Sequence, residues 1–377
     1  MARASERPWY RGRRCLSAAG GAAAALLALY GLTAFLIADG MTSAERGPQE
    51  DHPGRYGLVP DDVEFASRRG DVLLRGWYLA GAPAAGHGAA RGEAALIFVH
   101  GLSSVRSSDA AVGLAARLVG LGYSVLLFDL RGHGSSGGTQ VSGGYFERWD
   151  VLGAYDYLVS ERGYAAGEVG LVGFSMGAAT AVLAAELEPG IAAVVADSPY
   201  ASASELLANE AARQTPLPRW ATPLFMPLTE VIADRIHGID IGALKTQRAA
   251  ARLRYPLLVV HGDADTRIPV DHGERVAAAA PAGTVWWRTS GVDHADSFTT
   301  YPDEYVERVA SYLMVRLPRT GRRGRTPPAS LRAGAVEPDA GPGRNDPAVA
   351  ARASPAGAVR LRGSTRLAAP PAYRRGP

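Results

Sequence analysis

The sequence predicts an α/β fold: a mostly parallel central sheet with helices on both faces and a small cap insertion. Three observations lead there. Short apolar runs at 72–79, 95–99, 125–130, 169–172, 191–196, 257–260 and 285–288 alternate with helical patterns at 110–121, 145–161, 176–188, 270–280 and 302–315. Gly or Pro punctuates most junctions, and strands that alternate with helices pair in parallel because each crossover helix packs back on the sheet. Between 201 and 251 the alternation fails. There Pro216, Pro218, Pro223 and Pro227 fall among Trp220, Leu224, Phe225, Met226 and Leu228. That composition suits a cap at 201–250 over one sheet edge, the plainer alternative being a Pro-broken connection packed on the core.

Length and composition permit such a fold. At 377 residues with 47% hydrophobic content, the chain can bury a sizeable core. Its formal charge of +3 is unevenly placed: residues 319–377 carry twelve Arg against Glu337, Asp339 and Asp346, and residues 1–40 carry five Arg against Glu6 and Asp39, leaving residues 41–318 at −9. The folded part is therefore acidic, and the basic pI gives no ground for a specific nucleic-acid site. The single cysteine, Cys15, excludes an intrachain disulfide and a cysteine cluster for zinc.

The two ends differ from the body. Residues 16–38 form an uncharged, mostly apolar run that as a helix would be about 34 Å long, enough for a hydrocarbon core of about 30 Å. Arg3, Arg7, Arg11, Arg13 and Arg14 precede it, and Glu45, Glu50 and Asp51 follow. The positive-inside bias then puts the start in the cytoplasm and the body outside, as a single-pass protein of the cell membrane. A cleaved signal, giving a secreted product, is the rival; the length of the apolar run disfavours it, while Arg13-Arg14-Cys15-Leu16 hints at a twin-arginine signal. The expected organisation is a basic cytoplasmic start and anchor at 1–40, a linker at 41–55, the α/β domain at 56–317 and a tail at 318–377. The tail is rich in Pro, Arg, Gly and Ala without a period, so it is expected to be disordered and basic enough to contact polyanions.

The sheet pattern tells where to look for chemistry, because parallel sheets carry their sites just beyond the carboxyl ends of the strands. Gly173-Phe174-Ser175-Met176-Gly177 follows the apolar run ending at Val172 and opens a helical pattern. A serine between small residues on so sharp a turn stands clear of the sheet, the geometry of a nucleophile elbow. Its hydroxyl needs a base, usually a histidine oriented by a carboxylate. His52, His87 and His237 lie in the linker, a Gly/Ala loop and an irregular segment; His100, His133 and His261 precede glycines at strand ends, and His272 begins a helix. His294 follows the last expected strand and precedes the last helix, which suits the base in the chain order Ser, acid, His. For the acid, Asp265 is favoured over Asp263, which suits a turn cap, and over Asp197, which suits a loop-holding role.

Together these residues resemble the α/β-hydrolase superfamily over 63–317. The resemblance rests on five ordered motifs: His100-Gly101-Leu102-Ser103-Ser104, the stretch DLRGHGSSGG at 129–138, the elbow, His261-Gly262-Asp263-Ala264-Asp265-Thr266-Arg267-Ile268-Pro269, and His294. With Asp197-Ser198-Pro199-Tyr200-Ala201-Ser202 it is most similar to bacterial anchored serine hydrolases of the esterase, lipase and prolyl-oligopeptidase-like branch. The resemblance implies Asp265 as the acid and an oxyanion hole from the N–H groups of Met176 and Leu102, with Ser103 beside them. The chemistry it implies is an acyl-enzyme on Ser175, needing no metal or organic cofactor. The expected substrate is a small acyl ester held by Trp220, Leu224, Phe225, Met226 and Leu228. A peptidase acting on short peptides and a non-catalytic tethered binding protein are the competing classes.

Overall fold

Eight strands form one sheet: β1 (Asp61–Ala66), β2 (Leu73–Leu79), β3 (Ala95–Val99), β4 (Ser124–Asp129), β5 (Val169–Phe174), β6 (Ile191–Asp197), β7 (Leu258–Gly262) and β8 (Val285–Thr289). Their spatial order is β1-β2-β4-β3-β5-β6-β7-β8. β2 runs antiparallel to β1 and β4, and every other pair is parallel. In this computed structural model the described residues are 10–40, 42, 46–81, 94–108, 110–214, 218 and 220–317, with side chains from residue 20. The expected basic tail at 318–377, with its polyanion contact, and the first nine residues lie outside them.

The helices are α1 (Tyr10–Gly40), α2 (Ala111–Gly120), α3 (Glu147–Ser160), α4 (Met176–Leu187), α5 (Ala203–Gln214), α6 (Thr222–His237), α7 (Thr246–Ala250), α8 (Val270–Ala279), α9 (Ser297–Thr300) and α10 (Pro302–Arg316). Strand side chains alternate between faces, and the core divides accordingly. On β3, Ala95, Ile97 and Val99 face one apolar cluster with α3, α4 and α8, while Leu96 and Phe98 face a second with α2 and α10. Helices therefore cover both faces, and the sheet is buried as its uninterrupted apolar runs require.

Only β1 lacks a counterpart among the expected strands. Its sequence, Asp61-Asp62-Val63-Glu64-Phe65-Ala66, buries just Val63 and Phe65, since an antiparallel edge strand has one dry face. The stretch 201–250 folds as α5, α6, a 3-10 turn at Ile241–Ala243 and α7. Pro223 sits in the first turn of α6, where a helix loses no bond to proline, so only Pro227 interrupts its ladder. α1 packs along α6, with Tyr30 stacked on Phe225 at 5.0 Å between ring centres.

Candidate active site

The site is assembled at the carboxyl edge of the sheet from three loops. Ser175 lies between the end of β5 and the start of α4 with φ 55° and ψ −122°, a conformation that costs free energy for any side chain. The glycines around it explain how the turn closes. A Cβ at Gly177 would run into the carbonyl oxygens of Val99 and His100, and one at Gly173 would meet the Ala178 Cα at 2.7 Å. Ser175 N–H donates to the Asp197 carbonyl at 2.8 Å, which ties the elbow to the end of β6.

His294 bridges Ser175 and Asp265. The Asp265 carboxylate can only accept, so His294 Nδ1–H donates to Asp265 Oδ2 at 2.7 Å, and Nε2 is left to accept the Ser175 hydroxyl at 2.8 Å. Asp265 is itself held fast. Its Oδ1 accepts the N–H groups of Arg267 at 2.9 Å and Ile268 at 2.7 Å, and His261 Nε2 lies 3.1 Å from its Oδ2. Burial works against the Asp265 charge, but the hydrogen bonds from His261, His294 and Ile268 outweigh it and hold the carboxyl well below its ordinary range.

The other two carboxylates do different work. Asp263 accepts the Gly291 N–H at 2.7 Å, bracing the loop that carries His294. Asp197 accepts from Ser198 Oγ at 3.0 Å, and Ser198 Oγ accepts the Ala295 N–H at 3.2 Å. Asp197 thus reaches the histidine loop only through a hydroxyl, and its full burial pushes the carboxyl up to about 6. Ser103, Ser175, Ser198 and Ala295, at φ between 55° and 58°, gather non-glycine strain at this edge.

Leu102 and Met176 both border the cavity at Ser175. Met176 is the first residue of α4, where helical N–H groups have no partner within the helix. The Leu102 loop is braced by His100, which accepts the Leu130 N–H at 3.0 Å and bonds the Gly101 carbonyl at 2.8 Å through Nδ1. Burial, with the neighbouring His133, pushes His100 down to about 4, so it serves as a neutral strut.

The cavity measures about 740 Å³ and reaches from Ser175 to α1, α5 and the end of α6. Its apolar wall includes Leu36, Ile37, Leu206, Leu207, Ile241 and Leu244. None of Trp220, Leu224, Phe225, Met226 and Leu228 lines it, which corrects the pocket expected from the sequence. The reason is the face that α6 turns to α1. Phe225 stacks on Tyr30, Met226 packs with Ile37 and Ala211, and Trp220 and Leu224 point outward at 76% and 61% exposure. A signal for the true lining was present in α5, where Leu207 and Ala211 stand one turn apart. Thr33, Leu36 and Ile37 gave none, because an apolar run destined for lipid marks no inner face. Among the described residues no group of three or more His, Cys, Asp or Glu could hold a metal ion.

Comparison with known proteins bears on the family and the fold. Residues 90–238 match the family described as serine aminopeptidase, S33, a match that ends before Asp265 and His294. The uncharacterized protein Rv2307c of Mycobacterium tuberculosis is 31% identical over 236 residues, covering 62% of this chain and 72% of its own. The chain belongs to the α/β-hydrolase superfamily. The hydrolase is also 30% identical to the uncharacterized protein YqkD of Bacillus subtilis, over 51% of this chain and 63% of that one. Among solved structures, the Pyrococcus furiosus esterase Pf2001 aligns with a TM-score of 0.59 at 23% identity, covering 74% of this chain and 98% of its own. That last likeness is one of fold.

Proposed function

We propose that the protein is a serine hydrolase that cleaves carboxylic esters through an acyl-enzyme on Ser175. The observation that carries this reading is the hydrogen-bonded chain from Ser175 through His294 to Asp265, opening on an apolar cavity. His294 takes the Ser175 proton as Oγ attacks the ester carbonyl. The tetrahedral oxyanion is met by the N–H groups of Met176 and Leu102, each donor in such holes being worth about 3 kcal/mol. Collapse expels the alcohol, protonated by His294. Water, deprotonated in turn by His294, then releases the acid and restores Ser175. Asp265 holds the imidazole tautomer and offsets the imidazolium charge.

The apolar wall favours an acyl chain over a peptide. A relative at 27% identity over 198 residues is named lysophosphatidylserine lipase ABHD12, from Macaca fascicularis, and supports the ester reading. One observation favours an aminopeptidase: Glu210 borders the cavity, where a carboxylate could hold an ammonium group. Arg213 already bonds it at 3.3 Å, which weakens that role. Labelling with a fluorophosphonate, then turnover of a graded ester panel against aminoacyl amides, tests both steps. Labelling at Ser175 with faster ester turnover upholds the proposal; faster amide turnover replaces it with the peptidase.

We further propose that α1 anchors the enzyme in the cell membrane with the catalytic domain outside the cytoplasm. Among the described residues it is the one helix long and apolar enough to cross a bilayer. Its last turns bury Ala34, Ile37 and Ala38 and wall the cavity, so a cleaved signal would remove part of the site. Reporter fusions after Arg55 should be active only outside the cytoplasm, with the purified protein retaining its first residues. A soluble product beginning after residue 40 would establish secretion instead.

A further inference from the structure

The packing of α1 on α6 carries information about where the substrate comes from. The two helices run side by side in the same direction. Tyr30 stacks on Phe225 and donates its hydroxyl to the Leu224 carbonyl at 2.8 Å. One turn on, Thr229 Oγ1–H donates to the Ala34 carbonyl at 3.4 Å, and at the far end Asp39 lies 3.9 Å from His237. The pairing keeps a nearly constant offset in sequence, so each level of α6 shares the depth of a known level of α1.

Polarity changes within about one turn of the same level on both helices. Residues 220–229 contain no charged side chain, and Trp220, Pro223, Leu224 and Pro227 are exposed there. Charge begins at Glu230 and continues at Asp234, Arg235 and His237, beside the end of α1 where Asp39 ends the uncharged run. On α1 itself, Leu26, Leu29, Leu32 and Leu36 are exposed at 54–67%. Twenty residues from Leu16, the length that spans a hydrocarbon core of about 30 Å, end near Phe35. Tyr30, and with it Leu224 and Phe225, then lies about 8 Å inside that boundary.

The domain is not free to swing away from this arrangement. Arg46, just after α1, donates to the carbonyls of Gly134, Ser136 and Gly138 at 2.6–2.9 Å. Gln49 and Glu50 bond the Ser107 hydroxyl in the loop after β3. These contacts fasten the segment after α1 to the carboxyl edge of the sheet, the edge that carries Ser175. Leu36, finally, both lines the cavity and is 59% exposed, so the cavity wall continues onto the outer surface of α1.

From this we infer that residues 220–229, which run into the first half of α6, are embedded in the same bilayer leaflet as the end of α1, and that the cavity opens sideways into that leaflet. The partner of this surface is the lipid leaflet, and the substrate is an acyl ester whose chain already lies in the membrane. The inference rests on the anchor and esterase readings, and its test separates them.

The test uses the full chain with Cys15→Ser, reconstituted in phosphatidylcholine and phosphatidylglycerol vesicles. Single cysteines at Leu26→Cys, Leu224→Cys and Val59→Cys each carry an environment-sensitive fluorophore, Val59 being 90% exposed on the linker side. Doxyl-labelled lipid should quench the labels at 26 and 224 and spare that at 59, whereas aqueous iodide should do the reverse. A label at 224 that behaves like the one at 59 overturns the inference while leaving the anchor intact. A label at 26 quenched only by iodide removes the anchor and the inference together. As a second readout, Leu224→Glu should lower turnover of a long-chain ester held in vesicles several-fold and leave a soluble short-chain ester unchanged. Equal turnover of both esters by Leu224→Glu and the parent would overturn the lateral route, independently of whether the enzyme is an esterase.

Discussion

The two sides of the cavity are built in opposite ways. At the sheet edge, every group of the proposed triad is held by directed bonds: His294 by Asp265, Asp265 by two backbone N–H groups, and Ser175 by strained backbone and the Asp197 carbonyl. Opposite, α1, α5 and α6 present aliphatic side chains with few polar ties between helices: the Tyr30 and Thr229 bonds join α1 to α6, and Ser204 Oγ–H donates to Glu230 from α5 to α6. Directed bonds fix atoms to within tenths of an ångström, which proton transfer requires. Apolar packing fixes volume and little else, which suits an acyl chain whose methylenes are interchangeable. One side should therefore fail abruptly on mutation and the other by degrees.

The abrupt side gives the largest effects. Ser175→Ala should remove fluorophosphonate labelling and lower kcat on the order of 10⁶-fold, with the circular dichroism spectrum unchanged. Equal labelling of the alanine variant would reassign the nucleophile. Asp265→Asn should cost about 10⁴-fold in kcat by favouring the wrong imidazole tautomer. Asp197→Asn should cost far less, because Asp197 meets the histidine loop only through Ser198. A reversed ranking would move the acid to the end of β6 and break the distinction drawn between these carboxylates.

The same pair differs in how stability depends on pH. Asp197 has a folded pKa of about 6 against an ordinary 3.8, so its stabilising contribution is complete below the ordinary value and is lost as pH rises through the folded one. A shift of about two units corresponds to about 3 kcal/mol by pH 7. Asp197→Asn should remove that loss, gaining up to about 3 kcal/mol relative to the parent between pH 4 and pH 7 in denaturant unfolding. Asp265 has the opposite sign: its carboxyl is depressed, so its contribution is present above the ordinary carboxylate value and disappears as pH falls below it. Parallel stability curves for parent and Asp197→Asn would mean that the buried carboxyl pays no penalty for its charge.

The sequence was informative on one side of this comparison and weak on the other, for a physical reason. Gly173 and Gly177 are required by sterics at the elbow, and the histidine must follow a strand end, so both leave marks at fixed places in the chain. Seven strands were legible because buried parallel strands are continuous apolar runs; β1 was not, since an edge strand beginning Asp61-Asp62 resembles a loop. The lining of the cavity was misplaced on α6 because an apolar residue shows that a position is dry or lipid-facing, not what it faces. Phe225 and Met226 are apolar for α1, and Leu224 is outward.

The gradual side gives the smallest and most graded effect. Leu207 stands on α5 in the cavity wall, with Leu36 of α1 also in that wall and Ser175 at the reacting end. If acyl chains lie along this wall, each added methylene removed from water should gain up to about 0.8 kcal/mol until the cavity is filled. kcat/KM should then rise by up to about fourfold per methylene along an ester series and level off at a definite length. Leu207→Trp should shorten that length, by filling volume, while leaving the rate on the shortest ester nearly unchanged. Phe225→Ala should leave the length where it is, since its ring lies on Tyr30 rather than in the cavity. Were Phe225→Ala to shift the plateau and Leu207→Trp to leave it alone, the chain would lie against α6 as the sequence first suggested, and the wall described here would not be the one that measures it.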